Sequence, residues 1–535
     1  MSEMPDIYAN ARSTTGTSVR RRDVNTESGM CPICVKECTV LCEIGKSAFR
    51  GREVLYPEPE QFGWSTAASN KDYRLDWSDF NILSRLRGAE GIEQDPDIAL
   101  FHNVKLETVL GGIPLKVPLV SGAFGSTDVG RNNWNALAIG AALAGIIVVI
   151  GENVCGVDKD ALFTNGRVRH SPELERRVRI FKDYWDGEYG DIVVQTNVED
   201  QRFGVDEYAV SKLEVNIIER KWGQGAKAIG GEIRVSSLDR AVELKKRGYY
   251  VLPDPEDPVV QEAFRDGLFK SFERHSRVGF PAERSFIEDV DWLRKIGARY
   301  VTLKTGAYRP VDVAWTMKMA SEARVDYVTF DGAGGGTGMS PVPMMNEMST
   351  PTVFLEAQIL KCAELLEHAG RYVPDLSMAG GFVNETQIFK SIALSNFNGT
   401  GPFIKAITMA RAPLTAAMKA CYFSELAERN RLPRDFANKY GNNPSKFFIA
   451  ADELKAEYGD ALGGAIPWSA VGVYTYLHER LGLGLKQLLA GTRKFKLELI
   501  DRSDLATLSR LAAEVTGIPM VHEIEQDLFE GILLS

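Results

Sequence analysis

Residues 326–341 read DYVTFDGAGGGTGMSP. The first seven form a short apolar run rich in aromatic and β-branched residues, which predicts a buried strand. It breaks at Gly332, and Gly334, Gly335, Gly336 and Gly338 follow. A parallel barrel puts such a loop at its functional end, where backbone amides without a Cβ can approach a ligand closely. The rhythm recurs outward in PLVSGA (118–123), GIIVVIG (145–151), DIVVQTN (191–197), YVTLK (300–304), LSMAGG (376–381) and FIKAITMA (403–410). Helical patterns separate these strands, as at 287–295, at 310–323 and from Arg411 onward. The fold class predicted is α/β, a TIM (β/α)8 barrel with its eight strands nearly accounted for.

The expected organisation has four parts: a mobile tail (1–28), an N-terminal cysteine-cluster segment (29–108), the barrel (109–425) and a helical C-terminal cap (426–535). Helices are expected in the cap at 469–483 and 504–514. The longest apolar run, ALAIGAALAGIIVVI (136–150), is interrupted by Gly140 and Gly145. It falls short of the roughly 20 residues that span a bilayer and reads as helix, turn and buried strand.

The 535-residue composition, 44% hydrophobic and 25% charged, is that of a globular chain large enough for a sizeable core. A formal charge of -9 disfavours nucleic acid as a main partner, because phosphate backbones need a cationic surface. Arg20, Arg21 and Arg22 precede no apolar stretch, so no export signal is read and cytoplasmic residence is expected. In that reducing compartment the seven cysteines read as ligands or buried thiols rather than disulfides.

Gly380 and Gly381 close one strand, and Ala410–Arg411–Ala412 turns the next into a helix. Free amides and a helix dipole at adjacent strand ends suit a phosphate, so a phosphorylated cofactor is expected. No G-x-G-x-x-G opens a helix after a strand, and no G-x-x-x-x-G-K-[ST] occurs, which argues against Rossmann and P-loop sites.

In order along 115–425, the chain resembles the FMN-binding domain of glutamate synthases. Arg202–Phe203–Gly204–Val205 looks like that family's R-F-G-V. Glu219–Arg220–Lys221–Trp222–Gly223–Gln224–Gly225–Ala226–Lys227 looks like its E-x-K-x-x-Q-G-A-K, and 335–341 resembles its G-G-T-G-A-S-P. The resemblance implies an FMN site formed by Val120, Ser121, Gly122, Ala123, Gln195, Lys304, Gly335, Gly336, Thr337, Gly338, Gly380, Gly381, Ala410 and Arg411. It places Lys304 as a cation near the reduced flavin ring. Glu219, Lys221, Gln224 and Lys227 would line the substrate side, the lysines facing carboxylates of 2-oxoglutarate and the glutamate an amino or imino nitrogen. The implied reaction is reduction of an imine of a 2-oxo acid and ammonia to an amino acid, an oxidoreductase activity on the CH-NH2 group. The chain departs from the family at Ala410, at Ala333–Gly334 and at Asp200–Gln201.

Cys31, Cys34, Cys38 and Cys42 form a C-x2-C-x3-C-x3-C cluster. Four thiolates so close can hold a 4Fe-4S cluster, the preferred reading, with zinc the alternative. A one-electron carrier would feed the flavin. Cys155, Cys362 and Cys421 read as buried apolar thiols. The expected partners are a 2-oxo acid, ammonia or an amine, and an electron-donor protein or subunit in an oligomer. No glutaminase domain is read, so N-methylglutamate formation from methylamine and a pure electron-transfer role stand as alternatives.

Overall fold

Ile147, Val148, Val149 and Ile150 are all buried, because one face of the strand meets the barrel interior and the other meets a layer of helices. The computed structural model describes residues 73–223, 232–335, 344, 347–397 and 399–535. The barrel consists of β1 (Leu119–Phe124), β2 (Ile147–Ile150), β3 (Ile192–Thr196), β4 (Ile217–Lys221), β5 (Tyr300–Gly306), β6 (Tyr327–Asp331), β7 (Asp375–Ala379) and β8 (Ile404–Met409). Each pairs in parallel with its chain neighbours, and β8 closes on β1. The outer layer contains α1 (Trp134–Leu143), α2 (Pro172–Lys182), α3 (Val205–Leu213), α4 (Glu283–Lys295), α5 (Pro310–Glu322), α6 (Thr352–His368), α7 (Glu385–Leu394) and α8 (Arg411–Glu428). The longest apolar run folds as read, into α1, a turn and β2.

Seven strands fall where the sequence places them. The eighth, β4, reads IIERK and was missed, because its two apolar residues are too few to register beside three charges.

Local chemistry sets the helix starts. Ser171 accepts a hydrogen bond from Leu174 N ahead of Pro172 in α2, and Asn384 forms a capping box with Gln387 at α7. The barrel floor is sealed by an antiparallel hairpin, Thr108–Leu110 with Ile113–Leu115. Its Leu110, Ile113 and Leu115 pack with Val120, Ile147, Val193, Ile217, Tyr327 and Ala406 inside the barrel. The hairpin turn is pinned by Gly111 N, which donates to Asp375 Oδ2 at 2.7 Å.

The β4–α4 connection carries an antiparallel sheet of its own, in the order Glu232–Val235, Phe272–His275, Tyr250–Leu252. Beyond α8, helix Trp468–Tyr474 packs on both α1 and α8. Its approach to α1 needs Gly140, since a Cβ there would lie 2.6 Å from Val473 Cβ. The helix expected at 504–514 is only half present. Leu505–Thr507 is a strand paired antiparallel with Phe80–Ile82, and the helix begins at Arg510. The physical reason is local: Asp501 and Asp504 close a capping-box turn, after which Leu505, Ala506 and Thr507 are fully buried. Among the described residues no helix is long and apolar enough to cross a membrane.

Candidate functional site

Strand register assembles the charged part of the site. On β4, alternation puts Ile217, Glu219 and Lys221 on the face that begins in the interior cluster, while Arg220 lies on the other. Arg220 meets Asp206 at 2.7 Å and Asp289 at 2.6 Å, a buried ion network between barrel and helices. Glu219 pairs in register with Gln195 of β3 and Thr302 of β5, and Lys221 pairs with Lys304.

The Glu219 carboxylate is buried and accepts from Gln195 Nε2 at 2.6 Å and from Thr302 Oγ1 at 3.5 Å. Burial raises its pKa, while the charge of Lys304 acts to lower it. Lys304 Nζ lies 3.9 Å from Asp331 Oδ2, and both side chains are buried. Lys221 is pushed down to about 8 by burial; Glu152 opposes that shift and Lys304 adds to it. Two cations and two carboxylates thus share the strand ends of β4, β5 and β6.

The other part is backbone. Gly332 N donates to Ala379 O at 2.9 Å, and Thr352 Oγ1 donates to Gly380 O at 2.8 Å, which locks the β6 loop onto the end of β7. Gly380 has φ +126°, and a Cβ there would press on Thr352 Oγ1 and lie 2.8 Å from Gly332 N. A Cβ at Gly334 would collide with Gly380 O. Met378 of β7 pairs with Ile407 of β8, so Gly381 and Ala410, each three residues on, stand side by side at the strand ends. There α8 starts with no side-chain cap, and Arg411, its first residue, is exposed and makes no ion pair among the described residues. On β1, Gly122 has φ +127°, and a Cβ there would lie 2.8 Å from Val149 O. Ser121 Oγ and Gln195 Oε1 are buried without a hydrogen-bond partner among the described residues.

Thus Val120, Ser121, Gly122, Ala123, Gln195, Glu219, Lys221, Lys304, Gly335, Gly380, Gly381 and Ala410 all lie on barrel strands or in the turns that leave them, and Arg411 opens α8. Gln224, Lys227, Gly336, Thr337, Gly338 and the four clustered cysteines lie outside the described residues. Of the isolated thiols, Cys155 is buried as expected, and burial raises its pKa strongly. Cys362 and Cys421 are only half-buried.

Sequence reasoning missed a third group, where the β4–α4 sheet meets the loops after β1, β2 and β3. Asn153, left-handed at φ +66°, donates its N–H to Asp200 Oδ2 at 2.9 Å. Its side chain accepts from Tyr249 OH at 3.1 Å and Ser276 Oγ at 3.3 Å. Arg274 is buried, its guanidinium 4.8 Å from the Tyr249 ring centroid, with Nη1 2.8 Å from Ser276 Oγ. Burial pushes Asp200 up to about 7; two backbone N–H groups oppose this, and the charges of Glu152 and Asp206 add to it. Nothing in FERHSRV distinguishes Arg274 from a surface charge, so no sequence signal could have found it.

Residues 280–422 match the conserved region in glutamate synthase. Over 315 residues the chain is 26% identical to the archaeal-type glutamate synthase (NADPH) of Thermotoga maritima, and equally to that of Thermotoga sp. strain RQ2. The match covers 57% of this chain and 50% of each relative, so the chain spans about half the length of the curated relatives it matches. Among solved structures, a soluble mutant of the membrane-associated (S)-mandelate dehydrogenase from Pseudomonas putida overlaps 82% of this chain and 92% of its own, at TM-score 0.42 and 14% identity. At those values the closed strand order, not the overlap, defines the fold.

Proposed function

We propose, from the barrel's membership of the glutamate synthase family, that the chain is an FMN-dependent oxidoreductase that reduces the imine of a 2-oxo acid and ammonia to an amino acid. The observation that carries this reading is the buried Glu219, Lys304 and Asp331 set beside a glycine-walled, uncapped helix start.

The residues present fit FMN. The first amides of the 18-residue α8, together with the Gly380–Gly381 backbone, suit a phosphate, and Arg411 adds a free cation. Gln195 Oε1 and Ser121 Oγ are buried polar atoms in want of a partner, which the polar edge of a flavin ring would supply. Gly335, with Gly336, Thr337 and Gly338, would complete the cradle. Bound FMN would supply hydride transfer. Lys304 would stabilise negative charge on the cofactor side, and Asp331 holds its ammonium in place. Lys221, with Lys227, would take carboxylates of 2-oxoglutarate. Glu219 would orient the substrate nitrogen, its carboxylate held by Gln195, and Gln224 would line the substrate side. A cluster on Cys31, Cys34, Cys38 and Cys42 would deliver the electrons.

Anaerobic purification, a visible spectrum with cofactor extraction, and stopped-flow reoxidation of the reduced protein test this. One FMN per chain and reoxidation by 2-oxoglutarate plus ammonia are expected. Reoxidation only with methylamine in place of ammonia would redirect the reading to an N-methyl amino acid. A flavin indifferent to every oxo acid and amine offered would overturn it in favour of electron transfer.

A further inference from the structure

The helix Gln526–Leu534 carries an apolar face that nothing among the described residues covers. None of its residues is buried, and Leu528, Phe529, Ile532 and Leu533 are each between 60% and 69% exposed. Their spacing, i, i+1, i+4 and i+5, sets all four on one side of the helix. A helix of nine residues gains little from its own hydrogen bonds, because helices shorter than about 12–15 residues are marginal in water until an apolar face is packed. Residues 521–535 also carry Glu523, Glu525, Asp527 and Glu530 and no lysine or arginine. That charge argues against a bilayer as the cover, since surface-lying helices are held to anionic lipid by Lys and Arg.

A face of opposite charge lies elsewhere on the same chain. Met418 and Tyr422, one turn apart on α8, are exposed. The Tyr422 ring meets Phe423 edge-on at 5.7 Å, Phe423 stacks on Phe436 at 4.7 Å, and Phe436 meets the exposed Tyr440 at 5.0 Å. Helix α8 and the helix Arg434–Tyr440 thus present one aromatic ridge. Around it stand Lys419, Arg429, Arg431, Arg434, Lys439 and Lys446, all exposed, against only Glu425, Glu428 and Asp435, in a chain whose formal charge is -9. Of these cations only Arg429 makes an ion pair among the described residues, at 3.7 Å to Glu425. Ridge and acidic helix are both exposed in the same chain, so they do not cover one another within it.

We propose that the chain self-associates through this pair of surfaces, the helix Gln526–Leu534 of one copy lying on the aromatic, cationic face of α8 and Arg434–Tyr440 of a second copy. Its apolar side covers Met418, Tyr422 and Tyr440, and the long lysine and arginine side chains around the ridge reach the carboxylates that flank that side. One helix of this length falls short of the roughly 1,200–2,000 Å² that a stable interface buries. The reciprocal twofold arrangement, in which each copy presents its helix and receives the other's, doubles the contact and closes it. Neither surface includes a residue assigned to cofactor or substrate, so the association stands apart from the function proposed above.

The test measures the mass of the full-length, flavin-loaded protein by light scattering and by sedimentation equilibrium over a concentration series. Wild-type protein is expected to be a dimer whose Kd rises with salt. Phe529→Glu with Ile532→Glu on the helix, and separately Arg434→Glu with Lys439→Glu on the ridge, should each raise that Kd at least about tenfold while the flavin band is kept. Adding Asp527→Lys and Glu530→Lys to the ridge variant should bring the dimer back, a rescue that requires the two surfaces to touch. A wild-type monomer at every concentration, or a dimer that either pair of substitutions leaves intact, would overturn the proposal. Wild-type protein that stays monomeric and floats with phosphatidylcholine vesicles would overturn it in favour of a lipid surface. Should the helix variant fail to fold, the ridge variant and its rescue decide, and charge reversal without rescue refutes the contact.

Discussion

At the ends of β7 and β8 and in the loop after β6 the wall of the site is backbone, whereas at the ends of β4, β5 and β6 it is buried charge. The first wall lies within the segment that matches the conserved region in glutamate synthase; the second straddles its start, with Glu219 and Lys221 before it and Lys304 and Asp331 inside it. Glycine amides and an uncapped helix offer a field that suits an anion of fixed shape, and they leave little room for side-chain variation. Buried ionisable groups can be retuned one residue at a time, because each depends on its neighbours' charges and on the strand register that delivers it. The contrast sets backbone that admits no side chain beside charges that can be retuned, and it can be attacked from either side.

The largest effect is expected on the backbone wall. Gly380→Ala introduces a Cβ at φ +126°, 2.8 Å from Gly332 N and against Thr352 Oγ1, so β7 and the β6 loop cannot both keep their places. Flavin should be lost on purification, read from the absorption spectrum against protein concentration. A variant that retains a full complement would break the comparison, because the cradle would then tolerate a side chain. On the charged wall, Glu219→Gln should leave flavin content unchanged and lower turnover by about 10²-fold, the range for losing a positioned acid–base or charge-orienting group. Loss of flavin in that variant would show that the two walls are not separable.

The same contrast explains what the sequence discloses. Glycines mark the backbone wall only in combination, because a single strand ending in Gly380–Gly381 reads equally well as a tight turn, and seven of eight strands are legible from apolar runs. The strand that delivers Glu219 and Lys221 is the one hydropathy misses; only motif resemblance singled those residues out. Asn153 and Arg274 stay hidden, and Asp200 shows only as a departure from the family pattern, since their contacts arise where the β4–α4 sheet folds back on three loops distant in sequence. Periodicity carries no information about such contacts. The strand Leu505–Thr507 was hidden likewise, because its partner Phe80–Ile82 lies some 420 residues away.

A smaller effect sharpens the charged side. Lys221 titrates near 8 because burial disfavours its cation, so above that pH it loses the charge proposed to hold a carboxylate. The KM for 2-oxoglutarate should therefore rise about tenfold per unit above pH 8 while kcat stays level. Lys221→Arg should flatten the profile, because a guanidinium stays protonated throughout. An unchanged profile in that variant would move the titration to another group.

The smallest expected effect concerns stability, and it tests whether the buried charge behind the mouth is structural. Asp200 titrates near 7 in the fold, against about 3.9 in an unfolded chain, because burial and the nearby Glu152 and Asp206 disfavour its anion. The folded state therefore binds the extra proton between those values. The stabilisation this brings is complete below about pH 4 and is lost as pH rises through 7, at about 1 kcal/mol between pH 6 and 7. In a chain of this size that is a shift of roughly a degree or two in Tm. Asp200→Asn removes the proton and should erase that step while conserving an acceptor for the Asn153 and Asn197 amides. If calorimetry finds the same step in the variant, the proton belongs elsewhere; if the step vanishes and KM is unmoved, Asp200 braces the mouth without touching what enters it.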